Sequence, residues 1–404
     1  MLTEKNPFYV PDALRKSPDP ILGLSRLHEK DPREGKIDAG IGVYRDPSGE
    51  TYTPLAILQA RNNLEFGKPD YLSPSGEEEF LGDQRFLRGS AKLAFGRYAG
   101  ELLNRREIAA FGTPGGTGAV ALMVDIFKAI NSPEARILIG IPTWPNHEQI
   151  AASRSVQMLK YPHVRDSRYN FEAHLDAIKN SPSDTLVLFH TGKTHNPTGV
   201  NPTTEEEWRV IARAMEGRKA FFDTPYAGFG DGLVPDTEAI RIFLEEEVPL
   251  AVAISYAKNG GLYNERPGAL LIPVSTQPNA LELQRLGNSI ARVNYSSPPA
   301  QGERLIAEVL SSEELFAQWN NDLAEAAKDL KTRRNILVDI LPEFGFVKDQ
   351  TGLFSMLPLS PQQVEKLQED HGVFMPKSGR VNIGGITPID MPRFAQAIKE
   401  VIYR

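Results

Sequence analysis

Lys258 follows ten residues, 248–257, that carry no charge, and Gly260 and Gly261 come close behind it. An amine in apolar surroundings loses solvation of its charged form, so its pKa falls from about 10.4 and it becomes a nucleophile. Schiff-base chemistry with a carbonyl group suits such a lysine. The plainer reading is a side chain that reaches from a strand end to water. Asp223 closes another apolar run, KAFFD (219–223), with Tyr226 three residues on. A carboxylate there either caps the next segment or pairs with a buried cation. In FGTPGGTGAV (111–120) a strand-like IAAF passes through glycines into an apolar helical pattern. Backbone N–H groups at such a helix start bind anions, and glycines let a phosphate approach. A plain glycine-rich turn fits that stretch equally. Arg266, Arg292 and Arg380 offer the bidentate geometry that carboxylates and phosphates require, and each alone reads equally as a surface residue.

Other chemistries lack a needed residue. Gly116, Gly118 and Ala121 match a loose dinucleotide fingerprint, but the next strand ends in Ile141 and Pro142, with no acidic residue for a ribose. Gly192 and Lys193 look like the tail of a P-loop, yet Val187 stands where that loop needs glycine. The seven histidines show no H-x-x-x-H or H-E-x-x-H spacing, so no metal site is expected. A G-x-S-x-G elbow is missing, which removes the serine hydrolase reading. Taken together, a phosphate cradle, a carboxylate and an isolated lysine at strand ends, and spare arginines describe a pyridoxal phosphate site.

These residues need a scaffold that ends several strands side by side. Candidate strands are RILIGI (136–141), TLVLFH (185–190), KAFFD (219–223) and LAVAIS (250–255). Between them GAVALMVDIFKAIN (118–131) has helical spacing, and TEEEWRVIARAMEG (204–217) opens with a capping box of Thr204 and Glu207. The alternation predicts an α/β layer with a mostly parallel central sheet flanked by helices. Residues 299–341 read as long helix, followed by short strands in GLFSMLPL and GRVNIGG and a last helix over 391–402. The expected division is a large domain, 50–319, and a smaller α+β domain from 1–49 with 320–404.

The chain has 404 residues, too long for one compact core. A net charge of −7 argues against nucleic-acid binding. Cysteine is absent, which excludes disulfides, thiolate metal sites and cysteine nucleophiles. The first 20 residues carry no apolar signal region, and the run 248–257 is too short to span a bilayer. A soluble, cytoplasmic protein is expected.

From near residue 18 onward the chain resembles the aspartate and aromatic aminotransferases, class I, fold-type I enzymes dependent on pyridoxal phosphate. The matching stretches, in order, are GIGVYRD, TPGGTGA, TWPNH, HNPTGVNPT, FFDTPYAGF, SYAKNGGLYNER, RVNYSSPP, GLFS and SGRVNIGG. The resemblance implies that Lys258 is the Schiff-base lysine and proton shuttle. It implies that Asp223 pairs with the ring nitrogen, with His147 behind it, and that Tyr226 and Asn196 hold the ring oxygen. Trp144 would stack on the ring. Gly116, Thr117, Ser255 and Arg266 would hold the phosphate, with Tyr71 from a neighbouring subunit. Arg380, helped by Gly40, would bind the substrate α-carboxylate, Phe354 would line the site, and Arg292 of the neighbour would bind a distal carboxylate. Shared sites imply a homodimer, and the reaction implied is ping-pong transfer of an amino group between an L-amino acid and a 2-oxo acid.

The sequence also departs from that family. Ala257 and Gly260 flank the lysine where a hydroxyl and an aromatic ring are usual, and Pro267, Thr224 with Pro225, Ser297 and Ala39 replace common residues. The loop 191–194, with Lys193, is one residue longer. These changes point to altered pocket walls, Gly260 among them. Arg292 favours aspartate or glutamate over an aromatic substrate, because a buried arginine without its carboxylate costs about 3–5 kcal/mol. A decarboxylase or lyase acting on an aspartate-like substrate is the rival within the cofactor class, and a catalytically idle dimer is the rival outside it.

Overall fold

Seven stretches build one sheet: β1 (Ile108–Pro114), β2 (Arg136–Ile141), β3 (Gln157–Pro162), β4 (Leu186–His190), β5 (Lys219–Thr224), β6 (Leu250–Ser255) and β7 (Pro267–Pro273). The structure, a computed structural model, describes residues 20–64, 71–131, 133–192 and 194–403. The strands lie in the order β1-β7-β6-β5-β4-β2-β3. From β6 across to β3 every pairing is parallel, while β7 runs antiparallel to both β1 and β6. The mostly parallel α/β sheet expected from the sequence is therefore present, with one reversed strand.

Strands buried on both faces read as unbroken apolar runs, and β6 is buried at every position. Alternate side chains feed two cores. Phe222, Val252 and Leu271 enter one; Phe221, Ala253 and Leu270 enter the other. β3 sits at the sheet edge and leaves Gln157, Lys160 and Pro162 exposed. Its polar sequence, QMLKYP, hides it from any search for apolar runs. β7 is bounded by Pro267 and Pro273, which read as breakers yet tolerate the strand ends they occupy.

Helices cover both faces. The site depends on α1 (Gly115–Asn131), α2 (Pro145–Ser153), α3 (Glu205–Arg213), α4 (Gln277–Asn294), α5 (Ala300–Ser311) and α6 (Glu313–Ile340). α1 lies against β6 and β7 and starts directly where β1 ends. The capping box of α3 is formed: Glu207 N donates to Thr204 Oγ1 at 3.2 Å and Thr204 N donates to Glu207 Oε2 at 3.1 Å. The single long helix expected over 299–341 is broken. Ser312 adopts an extended backbone that ends α5, and its hydroxyl accepts from Leu315 N to cap α6.

Segments from the two ends of the chain meet. Residues 37–38 pair in parallel with 373–374, and 354–356 pair antiparallel with 380–382. Residue 320 falls inside α6, which runs unbroken across it. Among the described residues no helix is long and apolar enough to cross a membrane.

Candidate active site

Parallel strands end together, and open α/β sheets use those carboxyl ends to hold ligands. β4, β5 and β6 finish with His190, Asp223 followed by Thr224, and Ser255. The register pairs His190 with Asp223 and Asp223 with Ala253. Lys258 lies three residues past the end of β6. It is half-buried, and its Nζ sits 5.3 Å from the ring centre of Tyr263. One cleft takes in Lys258, Asp223, Tyr226, Asn196, Trp144, Gly116, Thr117, Ser255 and Arg266. Nine residues singled out from sequence thus line one space, joined by His190 and Pro225.

Electrostatics there favour a reactive amine. Burial, with the Arg266 guanidinium next, brings Lys258 down from 10.5 to about 8, against the opposing pull of Asp223. Burial also holds the Tyr226 hydroxyl in its protonated form, far above the ordinary phenol range, although Arg380 works the other way. Asn196 Nδ2 donates to Tyr226 Oη at 3.1 Å. Behind Asp223, His147 Nε2 lies 2.9 Å from Oδ2, and His147 Nδ1 lies 2.9 Å from Thr143 Oγ1. His147 also meets Trp144 edge to face, with ring centres 5.2 Å apart.

The start of α1 lines one end of the cleft with Gly116 and Thr117. Gly115 N donates to Arg266 O at 2.8 Å, which ties the glycine turn to the arginine loop. A Cβ at Gly115 would lie 2.4 Å from Arg266 Nη2, and one at Gly116 would lie 2.9 Å from Ser255 Cβ. Only glycine leaves the helix N–H groups open beside that guanidinium.

Arg380, Gly40 and Phe354 form a second group next to the first. The Arg380 guanidinium lies 4.7 Å from the ring centre of Phe354 and donates to Gly40 O. Phe354 stands edge-on to Tyr226, ring centres 5.7 Å apart, so it bridges this group to the cleft. Asp38 Oδ1 accepts from Gly40 N at 2.9 Å and fixes the turn that presents the carbonyl.

Two expected residues are not brought to this cleft within one chain. Tyr71 is 82 % exposed. Arg292 is exposed at the end of α4 and donates to Ser296 Oγ at 2.6 Å. Ser297 Oγ donates to Leu72 O at 3.3 Å, so the segments that carry both residues lie together on one rim. Gly260 does not face the cleft. A Cβ there would meet Tyr256 O at 2.7 Å and Ile306 Cδ1 at 3.3 Å, which is core beneath α5 and no pocket wall. Lys193 lies outside the described residues.

Thr143, His190 and Tyr263 are site residues that sequence reasoning misses. Thr143 carries a signal, since it precedes His147 by four residues at the start of α2. His190 carries another as the last residue of an apolar strand. His147, His190 and Asp223 place ligand-type atoms within 4.8 Å of one another. They come from α2, β4 and β5, so no local histidine spacing reveals the group.

The family model for aminotransferases of class I and II matches residues 34–398. The chain belongs to that family. It is 37% identical over 396 residues to an aspartate aminotransferase of Salmonella typhi, covering 95% of this chain and 98% of the relative. It is 36% identical over 392 residues to an aromatic-amino-acid aminotransferase of Pseudomonas aeruginosa, covering 95% and 96%. The crystal structure of an aromatic-amino-acid aminotransferase from Burkholderia pseudomallei, covalently bound to pyridoxal phosphate, superposes with a TM-score of 0.89 at 30% identity, covering 96% of this chain and 98% of that one. This aminotransferase moves amino groups between amino acids and 2-oxo acids, and its sheet is that of the fold-type I enzymes.

Proposed function

We propose that this aminotransferase works with pyridoxal 5'-phosphate in the cleft at the ends of β4, β5 and β6. The convergence of Lys258 on Asp223 and on the cradle of Gly116, Thr117, Ser255 and Arg266 carries the reading. The residues fit such a group. Asn196 Oδ1 is buried without a protein partner beside the Tyr226 hydroxyl. The glycine turn leaves α1 open to a phosphate. Asp223, with His147 behind it, would face the ring nitrogen. Tyr226 and Asn196 would hold the ring oxygen, and Trp144 would stack on the ring. When bound, the cofactor supplies a carbonyl that takes the amino group and a cationic ring that draws electrons from the reacting carbon.

The chain's own residues do the rest. Lys258 Nζ, poised near 8, holds and moves the proton of the substrate Cα. Asp223 sets its carboxyl group in the cleft at the end of β5, with His147 behind it. Arg380 binds the α-carboxylate, oriented by Gly40 O and backed by Phe354. The same residues serve the amino donor and then the 2-oxo acid acceptor, in a ping-pong sequence.

Two copies would share their sites, with Tyr71 and Arg292 of each chain serving the other's cleft. Their exposure on one rim supports this. Arg292 would meet a distal carboxylate, which makes aspartate and glutamate the favoured donors. The division into a large domain, 50–319, and a small one from both chain ends goes with this reading, supported by the pairing of 37–38 with 373–374, with α6 bridging the two. A cytoplasmic location goes with it too, on a sequence free of cysteine.

The test is a visible absorption titration of the purified protein supplied with pyridoxal phosphate. A bound band that shifts on adding an amino donor is expected, with aspartate or glutamate acting at lower concentration than phenylalanine. No band, or no shift with any donor, rejects the reading. Equal or greater kcat/KM for phenylalanine rejects the substrate assignment alone.

A further inference from the structure

Five of the chain's seven histidines gather in one buried group: His147, His163, His174, His190 and His195. Their rings run outward from Asp223. The centres of His147 and His190 are 5.3 Å apart, those of His190 and His195 4.4 Å, and His195 stacks on His163 at 3.8 Å and 16°. Beyond them Tyr161 stacks on His174 at 4.4 Å, and Tyr169 Oη hydrogen-bonds His174 Nδ1. Burial brings His163 down to about 4 and holds His174, His190 and His195 well below the ordinary imidazole value. Each of these four rings is therefore neutral at pH 7 and carries one proton.

The partners assign where that proton sits. Asn196 N donates to His190 Nδ1 at 3.1 Å, so the His190 proton is on Nε2, 3.9 Å from Asp223 Oδ2. His163 Nε2 faces Val200 O at 2.9 Å; a carbonyl can only accept, so the proton is on Nε2 and Nδ1 is a bare acceptor. A tyrosine hydroxyl can donate or accept; we take Tyr169 Oη as the donor to His174 Nδ1, which puts the His174 hydrogen on Nε2. His163 Nδ1 and His174 Nε2 are both buried without a partner. Both residues line one cavity, with His190 and His195, that has about 10 Å³ of room. That suits a single water. An acceptor and a donor at one cavity match a molecule that both donates and accepts.

We propose that this cavity holds one bound water, donating to His163 Nδ1 and accepting from His174 Nε2–H, and that His163 and His174 are positioning residues for Asp223. They act through the rings of His195 and His190. His195, stacked on His163, lies against His190 at 4.4 Å and 47°, which limits the turn of the His190 ring and keeps its Nε2–H toward the Asp223 carboxylate. At 3.9 Å the contact is a dipole facing the carboxylate and not a hydrogen bond, and a neutral ring adds no positive charge there. The proposal rests on Asp223 as the partner of the cofactor ring.

The first test needs no cofactor: ¹⁵N spectra of histidine-labelled wild-type protein at pH 7. Neutral Nε2–H forms for His163, His174 and His190 are expected, with His163 Nδ1 at an accepting shift. A charged His163 or His174, or either ring protonated on Nδ1, overturns the proposal even if the variants below do not fold. The second test is kinetic. His163→Ala is expected to lower kcat about 10-fold, the scale of outer-shell ligand partners, with KM for the amino donor little changed. His163→Gln keeps an acceptor for the water and a donor for Val200 O, and is expected to recover most of the loss. Unchanged kcat in both His163→Ala and His174→Phe, with thermal stability alone reduced, overturns the positioning role. Failure of the protein to take up pyridoxal phosphate would reject the functional reading, and the spectra would then decide the array on their own.

Discussion

His147 Nε2 lies 2.9 Å from Asp223 Oδ2 while its other ring nitrogen lies 2.9 Å from Thr143 Oγ1. With the threonine hydroxyl donating to Nδ1, the imidazole hydrogen points at the carboxylate and keeps Asp223 an acceptor. The role proposed for Asp223 depends on its charge and not on its shape. Asp223→Asn, an isosteric and neutral change, is expected to cut kcat about 10²–10³-fold, the scale of a lost electrostatic stabiliser. Thr143→Val removes only the orienting hydroxyl and is expected to cost far less. Steady-state rates decide it. Near-wild-type activity in the Asp223→Asn variant would mean that the charge is not used.

Arg266 lowers Lys258 through space, second only to burial. The free amine fraction of Lys258 therefore rises through about pH 8 and not near 10.5. Replacing Arg266 by Met removes a positive charge and is expected to move that midpoint upward. The measurement is the pH dependence of Nζ acetylation in cofactor-free protein, followed by mass spectrometry. An unmoved midpoint would leave burial as the whole cause.

Much of this site is legible in sequence because its residues sit at the ends of apolar runs. Asp223 and Lys258 are conspicuous where charge interrupts β5 and follows β6, and adjacent parallel strands bring such ends together. Arg380 and Gly40 are matched by resemblance alone, since 340 residues separate them and no local pattern joins them. The histidine group escapes for the same reason: its members come from α2, β4, the helix Phe171–Asn180 and two separate loops. Gly260 reads as a missing pocket wall because Lys258 is its near neighbour. Past the strand end the chain changes direction, and Gly260 packs under Ile306 instead. The break at Ser312 is hidden because α5 and α6 share one composition, and only the serine cap separates them.

Glu303 on α5 is fully buried, and its Oε2 accepts from Asp83 N at 2.8 Å. Burial pushes its carboxyl well above the usual carboxylate range; Asp83 adds to that, while Arg304 and the Asp83 N–H oppose it. Its pKa is raised in the folded chain, so the unfolded chain releases the proton first as pH rises. Stability is then lost with rising pH, by at most about 1.4 kcal/mol per pH unit, from near 4.5 up to the folded pKa. Glu303→Gln keeps the acceptor for Asp83 N and cannot ionise. The difference in Tm between Glu303→Gln and wild type is expected to grow in favour of the variant between about pH 5 and pH 8. A constant difference across that range would show that Glu303 ionises normally.

Arg292 and Tyr71 stand on one rim, linked through Ser296, Ser297 and Leu72, and neither lines the cleft of its own chain. Shared sites predict complementation between two defective proteins. Lys258→Ala lacks the base but keeps Arg292. Arg292→Asp keeps the base but repels a distal carboxylate and is expected to turn preference toward basic side chains. Unfolded and refolded together in equal amounts, they should regain activity on aspartate that neither shows alone. Half the dimers would be hybrids with one intact site of two, so about a quarter of wild-type activity is expected for a two-fold symmetric pair. Were Arg292 to act within its own chain, every hybrid site would carry one defect and mixing would restore nothing. The assay thus tests the dimer and the reach of Arg292 together, and sedimentation of the unmixed protein separates them: a monomer with no complementation removes the dimer, and a dimer with none removes only the shared arginine.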